Sequence, residues 1–582
     1  MGQLPVTLIF VLSASLIVAL IYLPVLGGVT GRLMQVFSRR KAPSVPQPYR
    51  RTAFGRVVEL FITNPIGPVV ALLLAVGGVV GTFAYYGQNQ NGVEFFVETD
   101  PARVIVYTRA RGNLSLEEKD RLVALVEERV LQVPGIASVF AFSGEGGLSS
   151  PGSDGPRDTI GEIQFELVNW RQRGPGQPIL DAVRAAVADI PGIKTEILKQ
   201  EDGPQQGKPI QLELRSNNWD ELLAATGEAR ARFEATEGLV EIDDTRPLPG
   251  IEWQITVDRA TAGRYGADVA TVGPMVQLVT MGAILDTHRP DDLDEEIDIR
   301  ARFPADDRTL ATLDALKVST NRGLVPLANF IDREPVHRLG EISRRDGERF
   351  FLVRADVGPD VSENEKIAEL QSWVAQADLP PTVSARFVGD WEEQQESMAF
   401  LTKAFAGALG LMFVILLAQF NSIYNSVLVL SAVVMSVAGV LIGMLVMGQK
   451  FSIIMTGTGI VALAGIVVNN NIVLIDTYQE FAKRMDRLEA IVRTAEARIR
   501  PVLLTTITTM AGLTPMMFAM SLDFASGTVS YGAPTALWWT QLATAVVWGL
   551  GVATLLTLLV TPAALALREW LSRGTYGIAS SL

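Results

Sequence analysis

Gly465–Asp476 reads GIVVNNNIVLID, and this stretch decides how the chain is to be understood. Three consecutive amides, Asn469, Asn470 and Asn471, interrupt an otherwise apolar run of membrane length. Polar groups at bilayer depth are costly unless they pair within a helix bundle or line a wet cavity, so they point to a conduction or coupling site. Asparagines can also simply hold helices together through interhelical hydrogen bonds, and the run alone leaves both readings open. The sequence beyond it favours coupling. A basic connection leads to Arg498-Ile499-Arg500-Pro501, which opens another apolar run carrying Thr505, Thr506, Thr508 and Thr509.

Further out, the composition agrees. Of 582 residues, 48% are hydrophobic and only 19% charged, too apolar for an ordinary soluble enzyme. The formal charge of −13 sits mostly in the middle of the chain and argues against a nucleic-acid partner, because neutralising phosphates needs a basic face. The absence of cysteine excludes disulfides and thiolate metal sites.

A hydrocarbon core of ~30 Å needs roughly 20 apolar residues per helix. Seven runs qualify: Leu4–Leu26, Pro68–Tyr85, Met398–Phe420, Val427–Met447, Ile453–Ile475, Val502–Met520 and Leu537–Leu567. Basic residues cluster between the first two (Arg32, Arg39, Arg40, Lys41, Arg50, Arg51, Arg56), between the fifth and sixth, and after the seventh (Arg568, Arg573). All three clusters fall on one face of a seven-span arrangement, which makes that face cytoplasmic. The central region is then periplasmic.

That region alternates short β-rich runs with amphipathic helices. Strands are predicted at Val104–Tyr107, Ala137–Phe142, Ile160–Val168, Thr195–Leu198, Ile210–Leu214 and Val240–Asp243, and helices at Leu116–Leu131, Ile179–Asp189 and Trp219–Ala235. A similar turn follows each helix: Val133-Pro134-Gly135-Ile136, Ile190-Pro191-Gly192-Ile193 and Glu237-Gly238-Leu239-Val240. The spacing suggests split βαβ, ferredoxin-like units. Between Ser143 and Arg157 lies a Gly/Ser/Pro-rich loop, and Asp291–Glu296 forms an acidic run read as solvated surface.

No phosphate loop, dinucleotide fingerprint, nucleophile elbow or HExxH motif occurs, and His288 and His337 lie in polar stretches. The chain is therefore read as a non-enzyme. A transporter of this composition takes its energy from an ion gradient or a partner, with no cofactor.

Five segments carry a resemblance to a known family: GIVVNNNIVLIDTY (Gly465–Tyr478), RIRPVLLTTITTMAGLTPM (Arg498–Met516), EEQQESMAFL (Glu392–Leu401), QFNSIYNSVLVL (Gln419–Leu430) and VPLANFIDREP (Val325–Pro335). The chain resembles the carboxy-terminal half of a resistance-nodulation-division (RND) efflux permease over residues 1–570. The resemblance implies an α-helical membrane bundle of about seven helices plus a periplasmic α+β region of ferredoxin-like porter subdomains with a docking insertion. It divides the chain into a transmembrane helix (1–30), a basic cytoplasmic linker (31–66), a second helix (67–87), the porter and docking region (88–395), a five-helix bundle (396–570) and a tail (571–582).

In function, the resemblance implies proton-driven export of hydrophobic or amphiphilic compounds across a bacterial inner membrane. The permease is a homotrimer working with a periplasmic adaptor and an outer-membrane channel. Carried over by motif, Asn469 and Asn470 with Arg498 and Thr505 form the proton-relay network, and Phe140 with Phe142 lines the substrate pocket. Asn469 stands where the best-known drug pumps have lysine, so its role reduces to hydrogen bonding. None of the seven spans carries a central acidic pair. The expectation is a truncated pump whose amino-terminal half supplies that pair. The alternatives are a protein-export accessory of the SecD/SecF type and a non-transporting fragment.

Overall fold

The computed structural model describes the chain except residues 1–2, 38–50, 98, 113, 145–154, 201–206, 249, 268, 291–295, 321–322, 338–341, 359–360, 524–526 and 580–582. Arg39, Arg40, Lys41 and Arg50, most of the Ser143–Arg157 loop, and Asp291–Glu295 of the acidic run lie outside the described residues.

Among the described residues, six helices are long and apolar enough to cross a bilayer: Ile9–Gly31, Ile66–Asn89, Asp390–Phe420, Ile423–Met447, Met455–Ala482 and Pro534–Arg573. The sequence predicts a seventh at Val502–Met520. That run is the second half of a longer helix, Arg487–Met517, whose first half is charged. From 502 to 517 it covers roughly 24 Å at 1.5 Å per residue, and its threonines lower its apolarity further.

The first helix runs Gln3–Ile17, through a π turn at Val18–Tyr22, into Leu23–Phe37, and its described side chains are exposed. A short amphipathic helix α1 (Ala53–Ile62) follows, capped by the Thr52 hydroxyl, which accepts from the Gly55 N–H. Gly55 is required there because an added Cβ would lie 1.9 Å from the Glu496 carboxylate. Glu496 in turn accepts from the Thr52 amide at 2.6 Å, and Arg51 pairs with Glu489 at 2.7 Å. Helix α2 (Ile66–Asn89) then leads to the soluble region.

Two units of the same topology form that region. In the first, strand β1 (Arg103–Arg109) is followed by α3 (Leu116–Leu131), β2 (Ile136–Ser143), β3 (Thr159–Leu167), α4 (Gln177–Val187) and β4 (Lys194–Gln200). The antiparallel sheet order is β2-β3-β1-β4. In the second, β5 (Ile210–Ser216), α5 (Trp219–Ala235) and β6 (Leu239–Asp244) are separated by an insertion from β9 (Glu348–Val357), α6 (Glu363–Gln376) and β10 (Ser384–Val388). The order β6-β9-β5-β10 repeats the first. Both are split βαβ sheets, each with its own apolar core between sheet and helices. Gly135, Gly192 and Gly238 all have φ between 84° and 102°, the left-handed turn read from the sequence.

Strands β7 (Ile251–Val257) and β8 (Ile331–His337) pair antiparallel at the base of the insertion. Its core gathers Leu313, Val318, Leu327 and Phe330. His288 is exposed at the end of a strand in a hairpin beyond them.

The bundle resumes with α7 (Asp390–Phe420), α8 (Ile423–Met447), α9 (Met455–Ala482), α10 (Arg487–Met517) and α11 (Pro534–Ala579). Packing between α8, α9 and α11 relies on small residues. A Cβ on Gly549 would fall 2.2 Å from Leu463, and one on Gly439 would fall 2.8 Å from the Trp548 carbonyl. Close backbone approach of this kind drives helix association where lipid is as apolar as the side chains.

Candidate functional site

Successive helical residues are about 100° apart, so three consecutive asparagines on α9 cannot share one role. The structure separates them. Asn471 is fully buried, accepts from the Thr561 hydroxyl of α11 at 2.8 Å and donates to the Leu428 carbonyl of α8 at 3.3 Å. Asn470 is half-buried, and its amide oxygen accepts from the Thr505 hydroxyl of α10 at 3.5 Å. Asn469 is exposed, and among the described residues its amide makes no hydrogen bond.

Arg498 lies one heptad before Thr505 on α10, and its Nε donates to the buried Thr477 hydroxyl of α9 at 2.6 Å. Among the described residues it pairs with no carboxylate. Thr506 and Thr554 share a buried hydrogen bond of 3.0 Å between α10 and α11. The structure thus joins Asn470 to Thr505 and seats Arg498 about two turns away on Thr477. Asn469 stays apart from both. Thr477, Thr554 and Thr561, which complete the seam, escaped the sequence reading because threonine in an apolar helix is common and returns its hydroxyl to its own backbone.

One face of α9 and α10 remains uncovered. Gly465, Asn469 and Asp476 are exposed on α9, and Thr505, Thr508, Ala511 and Gly512 on α10. Leu504, Ile507 and Ile466 are exposed beside them, so the face mixes apolar residues with small and polar ones of the kind found in helix–helix contacts.

In the first soluble unit, Phe140 and Phe142 occupy the sheet face opposite the core. Val139 and Ala141 point into that core, while Phe140 is 56% exposed and Phe142 half-buried. Phe142 therefore does not fill the core between sheet and helices. On the outer face the register aligns Phe142, Glu162, Tyr107 and Glu196 across four strands.

That row ends in a second polar concentration, between the two units. Arg109 of β1 pairs with Asp158 at 2.7 Å and Glu196 of β4 at 2.8 Å. Glu196 meets Lys208, on the connection to β5, at 2.6 Å. Lys208 also reaches Asp243 of β6 at 2.9 Å, and Asp243 pairs with Arg354 of β9. Arg109, Glu196, Lys208, Asp243 and Arg354 are all buried. Burial alone would raise Asp243, but Arg354 and Lys208 together hold its carboxyl below the usual carboxylate range. Glu241, two residues earlier, is pushed up to about 7 by burial and by the carboxylates of Glu196 and Asp356. The sequence signal for this joint was available: charged residues stand inside β-rich runs at VYTRA, KTEIL, EIDDT and LVRAD.

A multi-helix membrane bundle with an intramembrane polar seam, joined to paired split βαβ units, defines a membrane permease fold. The chain belongs to the AcrB/AcrD/AcrF family of RND permeases, whose description it matches over residues 1–567. It is 25% identical to the nickel and cobalt resistance protein CnrA of Cupriavidus metallidurans over 96% of this chain and 51% of that protein. It is 24% identical to the multidrug resistance protein MdtC of Erwinia amylovora, over 95% of this chain and 55% of that one. The crystal structure of a heavy metal efflux pump superposes with a TM-score of 0.70 at 22% identity, covering 89% of this chain and 52% of the pump. The chain spans about half the length of the curated relatives it matches.

Proposed function

We propose that this chain supplies the carboxy-terminal half of a proton-driven RND exporter in a bacterial inner membrane, with the two split βαβ units as a periplasmic porter and the insertion as its docking part. The observation that carries this is the uncovered face of α9 and α10. Asn469 and Thr505 are exposed within the membrane-length runs of α9 and α10, and polar groups at bilayer depth call for a covering helix. A second bundle carrying carboxylates fits that face, with Arg498 as the permanent positive charge answering them. On this reading Asn469, Asn470, Arg498 and Thr505 relay protonation, and the working assembly is a trimer with an adaptor and an outer channel.

Phe140 and Phe142, displayed on an outer sheet face, favour hydrophobic or amphiphilic cargo bound by aromatic contact. A metal cation is the second reading, and it rests on the printed names of CnrA and of the heavy metal efflux pump. In a permease assembled from this chain and an acid-bearing half, Arg498→Ala is expected to abolish export while protein levels hold. Unchanged export would remove Arg498 from the relay. Parallel growth tests with nickel and cobalt salts and with cationic dyes separate the cargo readings. Protection against dyes that depends on Phe140 supports the first, and protection against metals alone the second.

A further inference from the structure

The joint between the two soluble units contains more acid than it can hold in ionised form. Three buried cations, Arg109, Lys208 and Arg354, are matched by three carboxylates, Asp158, Glu196 and Asp243. Lys194 lies at its rim beside Glu196, and Asp356 beside Glu241. Glu241 is a fourth acid within this balanced set, and its ionisation leaves the cluster with an uncompensated negative charge.

The position of Glu241 is unusual in two further respects. Strands β6 and β9 pair Asp243 with Arg354 and Val240 with Asp356, so Glu241 and Ile242 together oppose Ala355 in a bulge. Glu241 takes φ = 52° there, the left-handed conformation that glycine occupies at no cost. Strained backbone at a non-glycine residue persists where the surrounding structure enforces it, commonly at switch positions. Its side chain also crosses the joint. The Ile197 N–H of β4 donates to the Glu241 carboxyl at 3.4 Å, linking the edge strand of the first sheet to the edge strand of the second. Lys208 binds the Glu241 backbone carbonyl from the connection between the units.

We propose that Glu241 is a proton-operated latch between the two soluble units. Neutral, it keeps the edges of β4 and β6 joined; ionised, it is repelled by Glu196 across the joint and by Asp356 beside it, and the units separate. The groups that face it are Glu196 from β4, Asp356 and Arg354 from β9, Lys208 from the connection, and Asp243 on its own strand. Of these the cations are already committed to Glu196 and Asp243. The sign follows from proton binding. The closed joint holds the Glu241 proton more tightly than the open one, so closure is favoured at low pH and weakens as pH rises from the ordinary glutamate range toward about 7. The latch stands on the geometry of the soluble region and does not depend on the transport reading.

The chain has no native cysteine, so spin labels can be placed singly on each unit, at Leu131 of α3 and Glu228 of α5, both exposed. Distances between them are measured on the full chain in lipid nanodiscs by pulsed electron resonance. The longer-distance population should grow about tenfold between about pH 5 and pH 8. Glu241→Gln keeps the shape and loses the charge, and Glu241→Gly suits the left-handed backbone. Glu241→Gln should hold the short distance at either pH, and Glu241→Gly, which removes the bridging side chain, should give a distribution that no longer changes with pH. A distribution unmoved by pH in the parent chain overturns the proposal, as does a pH response retained in both variants.

Discussion

Two of the buried polar clusters in this molecule, the seam of the membrane bundle and the joint between the soluble units, are built differently. Inside the membrane bundle the fully buried contacts are neutral, amide to hydroxyl at Asn471 and Thr561 and hydroxyl to hydroxyl at Thr506 and Thr554, with Arg498 reaching only a hydroxyl, that of Thr477. Between the soluble units they are charged, with Arg109, Glu196, Lys208, Asp243 and Arg354 linked in series. The difference follows from the cost of removing each kind of group from water. A neutral pair can be satisfied by one hydrogen bond. A buried charge needs a partner of opposite sign, and breaking the pair strands the survivor. The stability of the charged joint is therefore the more sensitive to single substitutions and to pH, and that of the neutral seam contacts the less so.

The largest effect that tests this contrast is expected at Lys208. Lys208→Met leaves Glu196 and Asp243 each short of a cation and should destabilise the second soluble unit by about 3–5 kcal/mol, read from its urea unfolding midpoint. A loss of under about 1 kcal/mol would mean that the joint behaves like a surface ion pair. Next in size is Asn471→Leu, which removes two interhelical bonds. A cost of about 1–2 kcal/mol is expected in the thermal stability of the bundle in detergent. Thr506→Val should cost less, about 0.6 kcal/mol, by the same measurement. If its loss equals that at Lys208, the distinction between neutral and charged burial fails. The smallest effect belongs to Asn469→Leu. Since Asn469 is exposed and its amide makes no hydrogen bond among the described residues, the stability of this chain alone should not change, while export by an assembled permease should fall.

Acid gives a further check on the joint. Asp243 is held below its ordinary range by Arg354 and Lys208 against the opposing effect of burial. Its contribution is present above the ordinary aspartate pKa and is lost as pH falls through the depressed value. Glu241 acts in the opposite sense, weakening the joint as pH rises toward about 7. The second unit's stability, followed by hydrogen exchange of β6, should therefore peak between these limits. A monotonic rise with pH up to 8 would contradict the assignment of Glu241.

Much of the soluble fold was legible in advance, because strand and helix periods are local properties. Leu116–Leu131 and Trp219–Ala235 have the predicted bounds, and the three glycine turns lie where the left-handed backbone was expected. Apolar runs of membrane length were equally plain, apart from Val502–Met520, where the helix begins in the charged segment at Arg487 and its apolar half is short. The resemblance grouped Asn469, Asn470, Arg498 and Thr505 without saying which of them touch; the structure sets Asn470 beside Thr505. By contrast, the different surroundings of Asn469, Asn470 and Asn471 depend on helix rotation, which a run of identical letters does not reveal.

The sequence by itself determined that this is a membrane chain with split βαβ strand–helix repeats up to Asp243 and a polar interruption in its core helices, because hydrophobic length and period are written residue by residue. Only the tertiary structure decided which asparagine is buried, which side of β2 carries Phe140 and Phe142, and that five distant charges meet between two sheet edges. Those outcomes depend on the rotation of helices and the register of strands brought together from far along the chain. Burial and the sign of the neighbouring charges then set what each group can do.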